Sequence, residues 1–184
     1  IGKNTAPAIA LAALNINSNE NLLVLPADHF IEDKESFLNC IREGFRALDG
    51  NNKITFGINP KTAHTGYGYI EKGTKQKIGY SISSFFEKPN KSKAKEYLNS
   101  GKFLWNSGMF LLNAGVYLNE LKLNNFEMYE CCVNSYKNAV TDDLYLKISI
   151  DDFNSCPSDS IDYAVMEKIK TSLVLPLDVG WSDV

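Results

Sequence analysis

The chain has 184 residues, 44% of them hydrophobic and 11% aromatic, enough to bury the core of one ordinary α/β domain. Its 19 Lys and Arg against 22 Asp and Glu leave no basic face broad enough for a nucleic-acid backbone. Apolar runs such as Leu22-Leu23-Val24-Leu25 and Met109-Phe110-Leu111-Leu112 fall far short of the roughly 20 residues of a membrane helix.

Residues 4–14 are rich in Ala and Leu, with Thr5 placed to cap and Pro7 in the first turn, and they predict a helix. The run Leu22-Leu23-Val24-Leu25 reads as a strand buried on both faces, ended by Pro26-Ala27-Asp28-His29. Asp33 is placed to cap a helix in which Phe37, Ile41, Phe45 and Leu48 recur at helical spacing before Asp49-Gly50 stops the pattern. Strands follow at residues 53–58, 67–71 and 80–87, where β-branched and aromatic residues lie between Gly and Pro punctuation. A helix from Asn90 carrying Ala94, Tyr97 and Leu98, a strand over residues 103–112, and a helix from Phe126 with Tyr129, Val133, Tyr136 and Val140 continue the alternation. A last helix near Asp159 sets Ile161, Val165 and Ile169 on one face, and residues 173–177 return as an apolar strand. Strands alternating with helices predict a Rossmann-like α/β fold, its mixed, mostly parallel sheet flanked by helices. A single domain over 1–184 is expected, because no repeat or linker interrupts it. The pairs Asp142-Asp143 and Asp151-Asp152 lie in polar surroundings and read as solvated loop.

Cys40, Cys131, Cys132 and Cys156 form no Cys-x-x-Cys pair, and His29 and His64 stand apart from them, so no zinc spacing appears. Reduced structural thiols and a cytoplasmic protein are expected. The chain opens on Ile1-Gly2-Lys3 without Met and stops at Trp181-Ser182-Asp183-Val184, which reads as an excerpt from a longer polypeptide.

Open α/β sheets collect ligands outside the carboxyl ends of their strands, and Asp28 and Asp183 each closely follow an apolar strand. A carboxylate there can hold Mg²⁺, or it can simply cap the loop after Pro26. Lys88, between Glu87 and Pro89 at a strand end, offers a compact charge for a phosphate, although most lysines are solvated surface groups. Gly66 and Gly68 flank Tyr67 and allow a close backbone approach, and Asn106 offers a donor and an acceptor in an apolar strand. Each also has a plain structural reading, as a turn or a locally satisfied amide. Asn4, Thr5 and Ala6 open a helix whose free N–H groups suit nucleotide acceptor atoms, and a simple cap is equally good physics.

Seven short stretches stand in order along the chain: Lys3-Asn4-Thr5-Ala6-Pro7-Ala8, Leu25-Pro26-Ala27-Asp28-His29, Thr65-Gly66-Tyr67-Gly68-Tyr69-Ile70, Phe86-Glu87-Lys88-Pro89, Trp105-Asn106-Ser107-Gly108-Met109-Phe110, Ser160-Ile161-Asp162-Tyr163-Ala164-Val165-Met166-Glu167-Lys168 and Gly180-Trp181-Ser182-Asp183-Val184. Together they resemble the sugar-nucleotide pyrophosphorylases, most closely the bacterial mannose-1-phosphate guanylyltransferases. The resemblance implies a Mg²⁺-dependent attack of mannose 1-phosphate on GTP. It implies Asp28 and Asp183 as metal ligands, Lys88 on the sugar phosphate, Glu87, Gly66, Tyr67, Gly68 and Asn106 on the sugar, and Asn4, Thr5 and Ala6 on the nucleotide. It gives no chemical role to residues 160–168, nor to the histidines, which read as structural. Lys3 stands where Arg is the family's residue, and the family's glycine-rich phosphate loop lies before Ile1. The resemblance is compatible with a homodimer and with a following isomerase domain. Two alternatives stay open: a relative using another base or sugar, and a nucleotide-sugar-sensing module without catalysis.

Overall fold

A computed structural model describes residues 1–48, 53–168 and 172–183. In chain order the elements are α1 (Thr5–Leu14), β1 (Asn21–Val24), β2 (His29–Ile31), α2 (Lys34–Ala47), β3 (Lys53–Ile58), β4 (Tyr69–Lys75), β5 (Tyr80–Phe86), α3 (Lys91–Ser100), β6 (Phe103–Asn113), α4 (Ala114–Asn124), α5 (Phe126–Lys137), β7 (Val140–Asp142), β8 (Tyr145–Lys147), α6 (Ile150–Asn154), α7 (Ile161–Ala164), β9 (Ser172–Leu177) and β10 (Trp181–Asp183). A single 3₁₀ turn, Met166–Lys168, follows α7. The chain divides into two compact units, Ile1–Asn21 with Asn113–Ile169, and Leu22–Leu112 with Lys170–Val184.

The second unit holds a sheet in the order β1-β6-β3-β9-β5-β4, and β4 pairs with β6 as well, so the pairings from β6 round to β4 close a circuit. Ile54, Phe56, Ile58, Trp105, Leu111, Leu175 and Leu177 project from it into one buried cluster, against which Phe37 of α2 packs. Each such side chain withdrawn from water contributes about 1.5–3 kcal/mol. Asp33 caps α2 by accepting from the Ser36 N–H at 3.0 Å. Asn90 caps α3 through the Lys93 N–H, and Gly101 ends that helix in the left-handed region at φ 64°.

Several expectations need correction here. The α/β class holds, but the sheet is not mostly parallel in its described registers: β3–β9 is parallel, whereas β3–β6, β4–β5, β4–β6 and β5–β9 are antiparallel. The physical reason is that β4 and β5 are joined by a short turn, closed by a bond from the Gln76 N–H to the Gly79 carbonyl, and a turn reverses the chain. β1 is half-buried at the sheet edge rather than buried on both faces, and Phe45 lies 42% exposed on α2. The stop at Asp49-Gly50 lies outside the described residues, as do Ile169 and Val184.

The first unit is helical, with a core of Ala6, Ile9, Ala10, Ala13, Tyr117, Leu121, Met128, Cys132 and Ile161. α4, absent from the sequence reading, is capped by Asn113 through the Val116 N–H. α5 buries Met128, Cys132 and Ser135. That face is one residue out of phase with the expected Tyr129, Val133 and Tyr136, because a thiol and a hydroxyl pack as small core groups while the tyrosines keep their polar ends near water. Val140 belongs to β7, not to the helix. Asp142 lies in β7 and Asp143 in the turn after it at φ 41°, whereas Asp151 and Asp152 form the first turn of α6. Acidic groups are favoured at a helix N-terminus, which makes that second pair helical rather than loop. The helix near Asp159 is the short α7, capped by Ser160.

Candidate active site

The geometry of the second unit follows from strand register. Tyr69 of β4 pairs with Phe86 of β5 on one side and with Trp105 of β6 on the other, both antiparallel. One step back along β4 is Gly68, and one step on along the neighbours are Glu87 and Asn106, so these three meet at one sheet end. The Asn106 N–H donates to the Gly68 carbonyl at 2.8 Å. A Cβ added at Gly68 would stand 2.5 Å from Glu87 Oε2 and 3.3 Å from Asn106 Cβ. A side chain there would push the Glu87 carboxylate aside.

Glu87 is largely buried while its neighbour Lys88 reaches into solvent, their charges 3.3 Å apart with side-chain exposures of 11% and 64%. Lys88 sits in the left-handed region at φ 44°, a conformation that costs a non-glycine residue of order 1–3 kcal/mol and recurs at functional sites. Asn106 spends its side-chain carbonyl locally, accepting from the Gly108 N–H at 3.1 Å and the Thr55 hydroxyl at 3.4 Å. Gly66 donates its N–H to His64 Nδ1 at 3.1 Å, and the His64 ring stacks on Tyr67 with centroids 4.2 Å apart.

The other charged cluster forms by a route that strand ends alone do not provide. β2 and β10 pair as an antiparallel ribbon with Asp183 opposite His29. Asp28 precedes His29, and ligand atoms of Asp28, His29 and Asp183 all lie within 4.8 Å of one another. Both aspartates are exposed and His29 is half-buried. Burial pushes the His29 pKa below its ordinary value, against the carboxylates of Asp183 and Asp28, which act to raise it. Trp181 donates its indole N–H to His29 Nδ1 at 3.1 Å. The Trp181 ring also lies edge-on to Tyr67 at 5.4 Å, and the Tyr67 phenol is raised by burial and by the Asp183 charge. Tyr67 and Trp181 thus join the carboxylate cluster to the Gly66–Gly68 segment.

Asn4, Thr5 and Ala6 lie in the first unit, and the N–H groups expected to be free there have partners. The Thr5 N–H donates to Asn4 Oδ1 at 2.8 Å and the Ala6 N–H to the Asp159 carbonyl at 3.2 Å. Asn4, not Thr5, is the cap of α1, and the Thr5 hydroxyl accepts from the Ile161 N–H at 2.9 Å. Asp159 and Ile161, the latter in the stretch 160–168 to which no chemical role was given, therefore anchor the start of α1.

A family model described as Nucleotidyl transferase matches residues 1–184. The chain belongs to the nucleotidyl transferase family. It is 44% identical over 192 residues to a mannose-1-phosphate guanylyltransferase of Salmonella montevideo, covering 100% of this chain and 41% of that protein. It is 42% identical over 194 residues to the enzyme of that name from Escherichia coli K12, covering 40% of it. The crystal structure of mannose-6-phosphate isomerase from Helicobacter pylori superposes with a TM-score of 0.92 at 33% identity, covering 100% of this chain and 72% of that one. The chain thus spans about two fifths of the length of the curated relatives it matches.

In this member of the nucleotidyl transferase family, Asp28 and Asp183 are the residues that could hold a divalent cation. Asp28 and Asp183 present hard oxygen donors, exposed and close together, and such donors suit Mg²⁺, which keeps several waters and takes one or two carboxylates besides substrate phosphates. Two carboxylates converging without a cation repel each other. Sequence reasoning missed Trp181 and the contribution of His29, since β2 and β10 have three residues each. Runs that short carry no periodic signal.

Proposed function

We propose that the complete protein transfers a guanylyl group from GTP to α-D-mannose 1-phosphate, giving GDP-mannose and pyrophosphate. The observation that carries this reading is the placement, in one unit, of the Asp28–Asp183 cluster, the Gly68–Glu87–Asn106 junction and the tip of Lys88, joined by Tyr67 and Trp181. The relatives' names supply the base and the sugar.

In the reaction, a phosphate oxygen of the sugar 1-phosphate bonds to the α-phosphorus of the triphosphate while the bond to the bridging oxygen breaks, and pyrophosphate leaves with the electron pair. Such a transfer asks for positioning and charge stabilisation rather than covalent work by the protein. Asp28 and Asp183 would hold Mg²⁺, which supplies neutralisation of the phosphate charge. Lys88 binds the sugar phosphate, its exposed ammonium free to swing from Glu87 to an incoming anion. Glu87 accepts from sugar hydroxyls, and Gly68 lets the sugar approach the backbone that carries them. Gly66, Tyr67 and Asn106 complete the sugar side. Asn4, Thr5 and Ala6 belong to the nucleotide side by resemblance.

The four cysteines are free, which fits a reducing compartment, and we place the protein in the cytoplasm. Among the described residues no helix is long and apolar enough to cross a membrane. A homodimer belongs to the same reading, and light scattering on the complete protein tests it.

The deciding experiment is a substrate survey of the complete protein, following pyrophosphate release with each pairing of GTP, UTP, ATP and dTTP with mannose or glucose 1-phosphate. GTP with mannose 1-phosphate should exceed every other pair. Equal turnover of UTP with glucose 1-phosphate would overturn the base and sugar assignment, and no turnover with any pair would favour a sensing module. The name of the Helicobacter pylori structure favours one addition, that the complete protein also interconverts mannose 6-phosphate and fructose 6-phosphate. A coupled isomerase assay that stayed at background would remove it.

A further inference from the structure

His29 stands beside the Asp28–Asp183 pair with a ring nitrogen in ligating range, so the simplest reading makes it a third metal ligand. The hydrogen bonding argues otherwise. An indole N–H only donates, so the Nδ1 that receives the Trp181 proton at 3.1 Å must carry its lone pair there. In the neutral ring the proton then resides on Nε2. One nitrogen is occupied as an acceptor and the other is protonated, which leaves neither with a lone pair for a metal.

The ribbon makes this arrangement hard to avoid. Asp183 pairs directly with His29, and Trp181, two residues along the same strand, projects from the same face. The diagonal from Trp181 to His29 is therefore a same-face neighbour contact, and the two rings meet edge to face with centroids 5.1 Å apart. The Trp181 ring is held on its other side by Tyr67 at 5.4 Å, so the indole N–H is aimed rather than free to turn.

The geometry points to His29 as a positioning residue: an imidazole whose tautomer is fixed by the Trp181 N–H on Nδ1, leaving Nε2–H for an anionic oxygen at the Asp28–Asp183 cluster. That oxygen belongs either to one of these carboxylates or to a substrate phosphate. This inference rests on the proposed function for its meaning, but its primary test does not depend on turnover.

The test is ¹⁵N NMR of the histidine-labelled complete protein, at a pH where the ring is neutral, without metal and then with Mg²⁺. Nδ1 should appear unprotonated and hydrogen-bonded to the Trp181 indole, with Nε2 protonated in both samples. A proton on Nδ1, or its loss from Nε2 when Mg²⁺ is added, would overturn the inference and make His29 a ligand. A second measurement distinguishes the roles by function. His29→Ala should lower kcat about tenfold, the scale on which groups that orient a metal site act, while Mn²⁺ affinity measured by electron paramagnetic resonance changes less than about threefold. His29→Gln, which restores an N–H near the Nε2 position, should recover most of that kcat. Trp181→Phe, which keeps the ring and removes the N–H, should produce a smaller fall of the same kind. Loss of Mn²⁺ binding in His29→Ala to the degree seen with Asp183→Asn would contradict the inference. If the aspartate variants themselves keep full Mn²⁺ affinity, the metal reading fails while the NMR result on His29 still stands or falls separately. The two oxygen sources separate in the same spectra: an Nε2–H shift present before substrate marks a carboxylate, and one appearing only with GDP-mannose marks a phosphate.

Discussion

The two compact units treat their polar groups in opposite ways. In the first, the groups nearest the suspected nucleotide residues are satisfied internally: the Thr5 and Ala6 N–H groups have acceptors, the Thr5 hydroxyl accepts from Ile161, and the Tyr117 hydroxyl donates to the Ala6 carbonyl at 2.8 Å. In the second, carboxylates stand exposed within 4.8 Å of each other, and Lys88 keeps a left-handed backbone and a solvent-facing ammonium. Satisfied groups hold a fold, whereas exposed like charges and strained backbone cost stability and persist where a ligand repays them. The comparison teaches that substitutions in the second unit should be read in kinetics, and those around α1 in thermal unfolding.

The largest effect that would sharpen this contrast is at the carboxylates. In the complete protein, Asp28→Asn and Asp183→Asn should each reduce Mg²⁺-dependent turnover on the order of a hundredfold or more, beyond the 10–100-fold typical of groups that only support a metal site. The unfolding midpoint should hold or rise, since a neutral amide removes repulsion. Gly68→Ala comes next: a methyl 2.5 Å from the Glu87 carboxylate must displace it. That carboxylate is the flexible end of its side chain, so stability should change little, whereas the KM for the sugar phosphate should rise with the nucleotide KM unmoved. Lys88→Ala should weaken the sugar phosphate roughly ten- to a hundredfold through the loss of a charge-assisted contact of about 1.5–3 kcal/mol, with the nucleotide KM unmoved.

In the first unit the comparison predicts a different readout. Thr5→Val keeps the shape, strands the Ile161 N–H, and should cost about 1–3 kcal/mol of stability, seen in denaturant unfolding, with kcat little changed. A large fall in GTP affinity at unaltered stability would break the comparison and return Thr5 to direct nucleotide contact. The smallest effect is at Cys40, whose thiol burial and the nearby Glu43 charge push to about 11. A thiol with a raised pKa stays protonated at pH 8 and labels slowly, gaining reactivity only as the pH climbs toward that value. Alkylation of Cys40 at pH 8 should therefore be slow in the folded protein and fast after denaturation.

Much of this was legible in the sequence where local physics decides. Asp33 and Asn90 cap the expected helices, and β3 and β5 fall at or within one residue of the strands read from the apolar runs. The closeness of Asp28 and Asp183 was also expected, but for another reason. Parallel strand ends on one sheet edge were to bring them together, and instead a three-residue antiparallel ribbon does so. Pairing between segments about 150 residues apart leaves no periodic trace, and the antiparallel β3–β6 register joins segments that are also distant in the chain. Nor could the sequence tell that the start of α1 is tied down by Asp159 and Ile161, since a cap partner so distant is set by packing.

The central claim, that Asp28 and Asp183 share one divalent cation, is tested most directly by Mn²⁺ binding, followed by electron paramagnetic resonance, in wild type, both single Asp→Asn variants and the double variant of the complete protein. Ligands of a single ion act as a unit, so each single change should abolish nearly as much binding as the double, and the losses should be strongly non-additive. Losses that simply add, or single variants that bind as wild type does, would contradict the claim.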